Sequence, residues 1–222
     1  MRVSGSSTLA EGKINENLVA TGSTRINGNL ECEEFKSSGS LKGSGNLIVN
    51  GYFRSSGTFR LTGSLTAEGD AKSTGSTTID GEISVKGKYT KSGTLRAGKQ
   101  VEALEGVEIS GLTKIQGNLM SKKDVVLRGN TTVDGNIKAE NVFVGLPIDR
   151  RPFIKHPYKV HGNIVADNEV HIKKTFVAGD VKGRDVKLGH GTEVAGAVYY
   201  INSIEVSSRV NLAKKPVQIE DE

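Results

Sequence analysis

The chain has 222 residues, of which only 35% are hydrophobic and 5% aromatic, with 28 glycines and no tryptophan. A conventional close-packed core of this size needs more bulk, so the composition argues against an ordinary globular domain. The net charge of +5 arises from 30 basic and 25 acidic residues that are interleaved along the chain. Because a nucleic-acid surface clusters its basic residues, we expect no nucleic-acid partner.

Cys32 is the only cysteine, so a disulfide within the chain is excluded, which fits a reducing compartment. Glu31 and Glu33 flank it, and negative neighbours disfavour a thiolate, so we expect an inert thiol. The first residues do not resemble a signal peptide, and no apolar run is long enough to span a bilayer. We therefore expect a cytoplasmic protein, with association with a membrane surface as the alternative.

Residues 1–34 form an entry region of about two coils, in which Gly22 and Gly28 already keep a six-residue spacing. From residue 39 to 144 this spacing governs the chain. The glycines that share the frame are Gly39, Gly45, Gly51, Gly57, Gly63, Gly69, Gly75, Gly81, Gly87, Gly93, Gly111, Gly117, Gly129 and Gly135. From residue 39 to 93 the residue two after each glycine is usually large and apolar, and from residue 40 to 96 the even positions are polar except Ile48 and Tyr52. Such alternation indicates extended chain with one exposed and one buried face, which a helical period would scramble.

Each six-residue unit is predicted to be a short strand followed by a bend at glycine. Asn50 and Asp80 precede glycines, as is common at tight turns. Three such units close one coil, and stacked coils bury what one strand cannot. The sequence therefore predicts an all-β fold, a single-stranded three-sided β-helix (β-solenoid) of about 11–12 coils of about 17–18 residues each. Lys and Glu replace glycine near residues 99–106, where we expect a bulge or, as an alternative, a surface site.

Residues 146–159 hold three of the four prolines and interrupt the repeat. Proline lacks the donor that a central ladder needs, so this segment is predicted to be a loop outside the stack. Two interpretations remain open: a docking patch for a membrane surface or a protein partner, or apolar residues that fold back over one facet. The residues concerned are Arg150, Arg151, Phe153, Ile154, Lys155 and Tyr158.

From Val160 the repeat resumes with a shorter spacing of seventeen residues, as in Val160, Val177 and Val194. We expect a single solenoid domain over residues 1–212, with residues 213–222 as a short charged tail. No histidine has metal-ligand spacing, and no glycine pair opens a helix that would cradle a phosphate. We expect no catalytic, metal-binding or cofactor-binding residues and no enzyme activity. His190, between two glycines, is the histidine that would merit inspection as a base.

The units Ile26-Asn27-Gly28-Asn29-Leu30, Ile115-Gln116-Gly117-Asn118-Leu119, Val133-Asp134-Gly135-Asn136-Ile137 and Val160-His161-Gly162-Asn163-Ile164 resemble the bactofilin family of polymer-forming cytoskeletal proteins. The resemblance covers about residues 22–212. It implies a right-handed triangular β-helix and nucleotide-free, end-to-end assembly into non-polar filaments that act as scaffolds. The chain departs from many members of that family in its short tails and its proline-rich insertion, and the membrane-targeting peptide that some members carry is not evident.

The repeat favours the same function on physical grounds. A solenoid has two ends with unpaired backbone groups, and such ends favour addition of a second copy by strand pairing. The end residues predicted to make the contacts are Val3, Leu9, Tyr199, Tyr200, Ile201, Ile204 and Val206.

Two alternatives remain. A hexapeptide-repeat acyltransferase has the same period but needs a catalytic histidine, for which His161 or His190 would have to serve together with the loop. A monomeric binding scaffold would use the loop as its contact.

Overall fold

The computed structural model describes residues 1–145 and 157–221. Within these residues every regular element is a β-strand, and no helix is present. Each strand pairs in parallel with the strand one coil away, which gives a continuous 27-stranded sheet wound into about 11 coils. This confirms the predicted β-solenoid.

Each coil has three faces, named here by chain order from the long strands. The first and second faces are the two halves of a long strand that bends at the first corner, and the third face is a short strand. The long strands are Leu18–Ile26, Phe35–Gly43, Phe53–Leu61, Ala71–Ile79, Tyr89–Ala97, Val107–Ile115 and Asp124–Val133. The short strands of the third face are Gly12–Ile14, Leu30–Cys32, Leu47–Val49, Leu65–Ala67, Ile83–Val85, Val101–Ala103, Leu119–Ser121, Ile137–Ala139 and Ile164–Ala166.

The first coil and the later coils are not divided into one long and one short strand as the central coils are. The first coil begins with Arg2–Val3 and Ser6–Leu9. The later strands are Asn141–Val144, Tyr158–Val160, Glu169–Ile172, Thr175–Val177, Val181–Leu188, Glu193–Val194, Val198–Val206, Asn211–Leu212 and Val217–Gln218. Among these, Val181–Leu188 and Val198–Val206 run from the third face onto the first, with a register irregularity between Gly183 and Asp185.

The core consists of six columns of inward side chains, two for each face. Partners are eighteen residues apart in the central coils, as in Phe53 and Ala71, and seventeen apart in later ones, as in Tyr158 and Thr175. The column Leu47, Leu65, Ile83, Val101 and Leu119 is fully buried. The predicted alternation is thus confirmed, and the burial of aliphatic side chains supplies the main stabilisation.

The first corner is held by a column of glycines with φ between +86° and +117°, a region that L-residues rarely occupy. Its members are Gly22, Gly39, Gly57, Gly75, Gly93, Gly111 and Gly129. An added Cβ at Gly75 would also collide with the backbone oxygen of Gly57 in the coil below. Because the corner stays in register from coil to coil, the chain bends there without interrupting the strand. Two predicted six-residue units therefore merge into one nine-residue strand.

The second corner uses a side-chain ladder. Asn46 N donates to Asn29 Oδ1 at 2.8 Å, Ser64 N to Asn46 Oδ1 at 2.8 Å, and Glu82 N to Ser64 Oγ at 3.0 Å. The same pattern recurs above, where Asn163 N donates to Asn136 Oδ1 at 2.8 Å. The ladder residue follows the glycine, whereas the sequence predicts the turn-forming residue to precede it.

Two sequence expectations need correction. The bulge expected near residues 99–106 is absent from the described chain, since Val101 pairs in register with Ile83 below and Leu119 above. Lys99 has no positive φ, so a side chain is compatible with the backbone at this corner. The tail assigned to residues 213–222 is also shorter than predicted, because Val217–Gln218 pairs with Tyr199 and Tyr200 as part of the solenoid.

One inward column of the first face is polar over several coils. Ser37, Ser55 and Ser73 are buried there, followed by Lys91, which is 1% exposed. Lys91 Nζ donates to the carbonyl oxygens of Gly75 at 2.8 Å and Ser92 at 2.7 Å. Burial lowers the pKa of Lys91 to about 8, because the charged ammonium is largely removed from water.

We expect Gly75→Ala to lower the free energy of unfolding by about 2 kcal/mol or more, through both the positive φ and the collision with the coil below. Chemical denaturation would measure the loss. Gly5→Ala is the matched control, because Gly5 has φ +71° but open space where its Cβ would lie. Equal losses in the two variants would contradict a role for close contact between coils.

Lys91 should make stability depend on alkaline pH. Between pH about 8 and the unfolded pKa of 10.5, the unfolded chain retains a proton that folded Lys91 has released. The free energy of unfolding should therefore rise across this range. Thermal melting of the wild type and Lys91→Met at several pH values would measure it, and the expected rise is smaller in the variant. Parallel pH profiles would contradict the assignment.

Candidate functional site

The C-terminal end of the solenoid presents an unpaired strand edge. Val198–Val206 pairs along its length with Val181–Leu188 below. Above it, only Tyr199 and Tyr200 are covered, by Val217 and Gln218. Within the described chain no strand covers the remainder of that edge, residues 202–206. Its backbone donors and acceptors are therefore available to a further strand.

At this end the core columns terminate in apolar side chains. Ile204 continues the column of Val186, and Val206 continues the column of Leu188. Ile204 is partly buried, whereas Val206 is 48% exposed. Tyr200, Val210 and Leu212 are also partly buried against the core. The last coil thus ends on a hydrophobic surface that another coil would cover.

The N-terminal end has a similar arrangement on a smaller apolar surface. Val3 pairs with Ala20 and Leu9 with Ile26, while Ile14 lies over Cys32. Val3 and Ile14 are partly buried, but Leu9 is only 7% exposed. The terminal amine of Met1 bonds to Glu16 Oε2 at 2.5 Å and to the Asn17 carbonyl at 2.7 Å. The described strands of this coil pair only toward the second coil.

The structure places the predicted end residues unequally. Val3, Ile204 and Val206 lie at the ends of core columns. Tyr200 lies one coil below the end of its column, because Gln218 pairs above it. Ile201 instead faces sideways into a surface depression that it lines with Arg184 and Asp221, two residues joined by an ion pair at 2.6 Å. Tyr199 lies outward on the third face, beneath Val217.

The repeat predicts that Val210 and Leu212 help to build the last coil, but the predicted contacts did not include them or Ile14, which also lies at an end.

Gly145 and Pro157, the described residues that flank the proline-rich segment, lie at the first corner. Of the loop residues predicted to meet a partner, Arg150, Arg151, Phe153, Ile154 and Lys155 lie outside the described residues. Tyr158 is described, and it belongs to a strand rather than to the loop. Its ring is inside the tube, 2% exposed, and Gly129 N donates to its hydroxyl at 3.0 Å. As placed here, Tyr158 is therefore not accessible to a partner.

The groups considered for chemistry are dispersed. His161 Nδ1 lies 3.0 Å from Asp134 Oδ1 at the solvent-exposed second corner. His190 is exposed at the first corner of a later coil. No cluster of three His, Cys, Asp or Glu side chains suited to a metal occurs among the described residues. Burial, with Glu33 and Glu31 as smaller causes, raises the pKa of the Cys32 thiol to about 12.

The described residues include no helix with the length and hydrophobicity needed to cross a bilayer. No family model, curated protein or solved structure matches the chain. The candidate functional site therefore rests on the structure alone. It consists of the two solenoid ends, at which the core columns terminate.

Tyr158→Phe should destabilise the fold by about 1–3 kcal/mol, because the buried Gly129 N–H would lose its acceptor. Urea denaturation would measure the change. Tyr52→Phe is a suitable control, since Tyr52 is only half-buried. If both variants unfold at the wild-type midpoint, the hydroxyl of Tyr158 has no anchoring role beside the insertion.

Proposed function

We propose that this protein is a structural scaffold, similar to the bactofilins, that assembles through its solenoid ends into filaments without a nucleotide. One observation carries the proposal. Among the described residues, the hydrophobic side chains that pack against the core yet remain partly exposed are Val3, Ile14, Tyr200, Ile204, Val210 and Leu212. All of them except Tyr200, which Gln218 covers, belong to the first or last coil. In the interior of the tube, the neighbouring coils cover the corresponding positions.

End-to-end contact would extend the interactions that hold the tube together. A second copy placed on Val198–Val206 would pair with the free edge and cover Ile204 and Val206. Covering aliphatic surface contributes about 25 cal/mol per Å². Strand pairing would also fix the orientation and register of the second copy. The free edge and the apolar column ends lie on the same surface, so one docking event satisfies both.

The proposal includes the polarity of the filament. If each end binds the same end of another copy, two different two-fold contacts alternate and the filament has no direction. The two ends carry different side chains, with Ile204, Val210 and Leu212 at one and Val3 and Ile14 at the other. Each contact would therefore have its own affinity. We place the filament in the cytoplasm as a scaffold.

Blocking one end tests both assembly and polarity. Val206→Arg places a charge at the C-terminal end, and Val3→Arg does so at the N-terminal end. With like-to-like contacts, each single variant should stop at a dimer, twice the 23.6 kDa of one chain. The double variant should be monomeric. Light scattering after size exclusion, with negative-stain microscopy of nucleotide-free protein, would measure these states.

Leu112→Arg is the matched control. Leu112 is 54% exposed, close to the 48% of Val206, but it lies on the second face in the middle of the tube. It should form filaments like the wild type. Monomers from either single-end variant would instead indicate head-to-tail assembly. A monomeric wild type would overturn the proposal and leave the chain as a monomeric scaffold.

A further inference from the structure

The solenoid sorts charges by face, although the sequence interleaves them. One outward column of the second face, three residues after the first-corner glycine, carries a cation in six of the eight coils between residues 22 and 160. Beyond these coils the column continues with Thr8 below and with Phe176, Glu193 and Asn211 above. Its basic members are Arg25, Lys42, Arg60, Arg96, Lys114 and Lys159, all exposed, and Thr78 and Thr132 occupy the other two of the eight coils. We call this column the basic strip. The interleaving that argued against a nucleic-acid partner therefore does not persist in three dimensions.

The basic strip is largely unneutralised. Among the described residues, its one ion pair is Lys114 with Asp134, at a long 3.9 Å. On other parts of the surface several cations pair with acids of a neighbouring coil, as in Lys13 with Glu31 at 2.7 Å and Lys88 with Glu108 at 3.0 Å. A shorter stack of three cations, Lys36, Arg54 and Lys72, lies on the first face. Like charges on adjacent strands repel, so stacking Arg25, Lys42 and Arg60 is unfavourable without a counter-anion. This points to a polyanion as the occupant of the second face.

The chemistry beside the strip fits phosphates. The other outward column of the same face carries hydroxyls at Ser23, Ser40, Thr58, Ser76 and Thr94. Arginine, lysine and hydroxyl side chains are the usual contacts to the phosphates of a nucleic-acid backbone. We propose that the basic strip binds the phosphate backbone of a nucleic-acid duplex without regard to sequence.

Length and surface composition favour a duplex over other polyanions. At about 4.8 Å per coil, the seven steps from Arg25 to Lys159 span about 34 Å, close to one turn of B-form DNA. From residue 22 to 133 the outward positions of the second face carry no aromatic side chain. A single strand would need such rings to stack its bases. A bilayer is disfavoured because Leu112 is the single large apolar side chain that points outward there.

The test uses fluorescence anisotropy with a labelled duplex of about 20 base pairs over a salt series. The wild type should bind with a dissociation constant of about 10⁻⁴–10⁻⁶ M at physiological salt, and more tightly at lower salt. The triple variant R25T/R60T/R96T copies the threonines found at other positions of the same column. It should bind at least about tenfold more weakly, with the slope of log K against log salt reduced by about 2.7.

The control variant K36T/R54T/K72T removes the same charge from the first face, where these residues share a column with Thr90. It should bind the duplex nearly as well as the wild type, and circular dichroism should show both variants folded. Equal losses in the two variants would reduce the effect to net charge and overturn the proposal. So would a wild type that fails to bind duplex at low salt. Binding to phosphatidylserine vesicles but not to duplex would assign the strip to a membrane instead.

Discussion

The structure depends on one constraint: each coil must place its corners directly above those of the coil below. At the first corner of most coils this constraint selects glycine, because Gly57, Gly75 and Gly93 combine positive φ with a backbone oxygen where a Cβ would lie. In two later coils Lys174, with φ +50°, and Arg209, with φ +62°, occupy this corner instead. At the second corner the Asn29–Asn46–Ser64 ladder supplies the same alignment through side-chain acceptors. Alignment of the corners keeps the strands in register, and register places apolar side chains in columns.

Register also decides what reaches the surface. Because partners are seventeen or eighteen residues apart, residues that are distant in sequence stack on one face at intervals of about 4.8 Å. The basic strip and the hydroxyl column beside it follow from that period. The apolar column ends at Ile204 and Val206 follow from it as well, since a column that is closed by the next coil inside the tube has no cover at the last coil. One repeat thus produces both a lateral and a terminal surface.

The repeat made the fold predictable. Alternation and the six-residue frame identified the buried positions, including Leu41, Phe59 and Leu95, without any structural input. The six-residue frame does not show how strands join at the corners. Two strands separated by a turn and one continuous strand that bends at glycine have the same sequence pattern. The frame also placed Lys91 on the buried phase, and sequence reasoning had no means of telling that Gly75 and Ser92 offer carbonyls to its ammonium.

The sites were less predictable for a related reason. Acids and bases are interleaved along the chain, but the neighbours on the surface of the solenoid are residues one coil apart. Sequence order therefore does not show which charges lie side by side. Tyr158 was assigned to the loop because prolines precede it, but its column position is inward, above Thr131 and below Thr175. In a periodic sequence, the residues that form one surface are therefore found by grouping positions that are one coil apart.

The two proposed surfaces are physically independent, yet they would reinforce each other in an assembly. The ends involve Val3 and Val206, whereas the basic strip lies on the second face along the tube. A filament would display many strips on one body, so a long duplex would contact several copies at a high effective concentration. Weak, sequence-independent contacts at each copy would then suffice for stable attachment. An isolated copy, with one strip about one helical turn long, would exchange rapidly. Assembly at the ends would in this way control binding along the side.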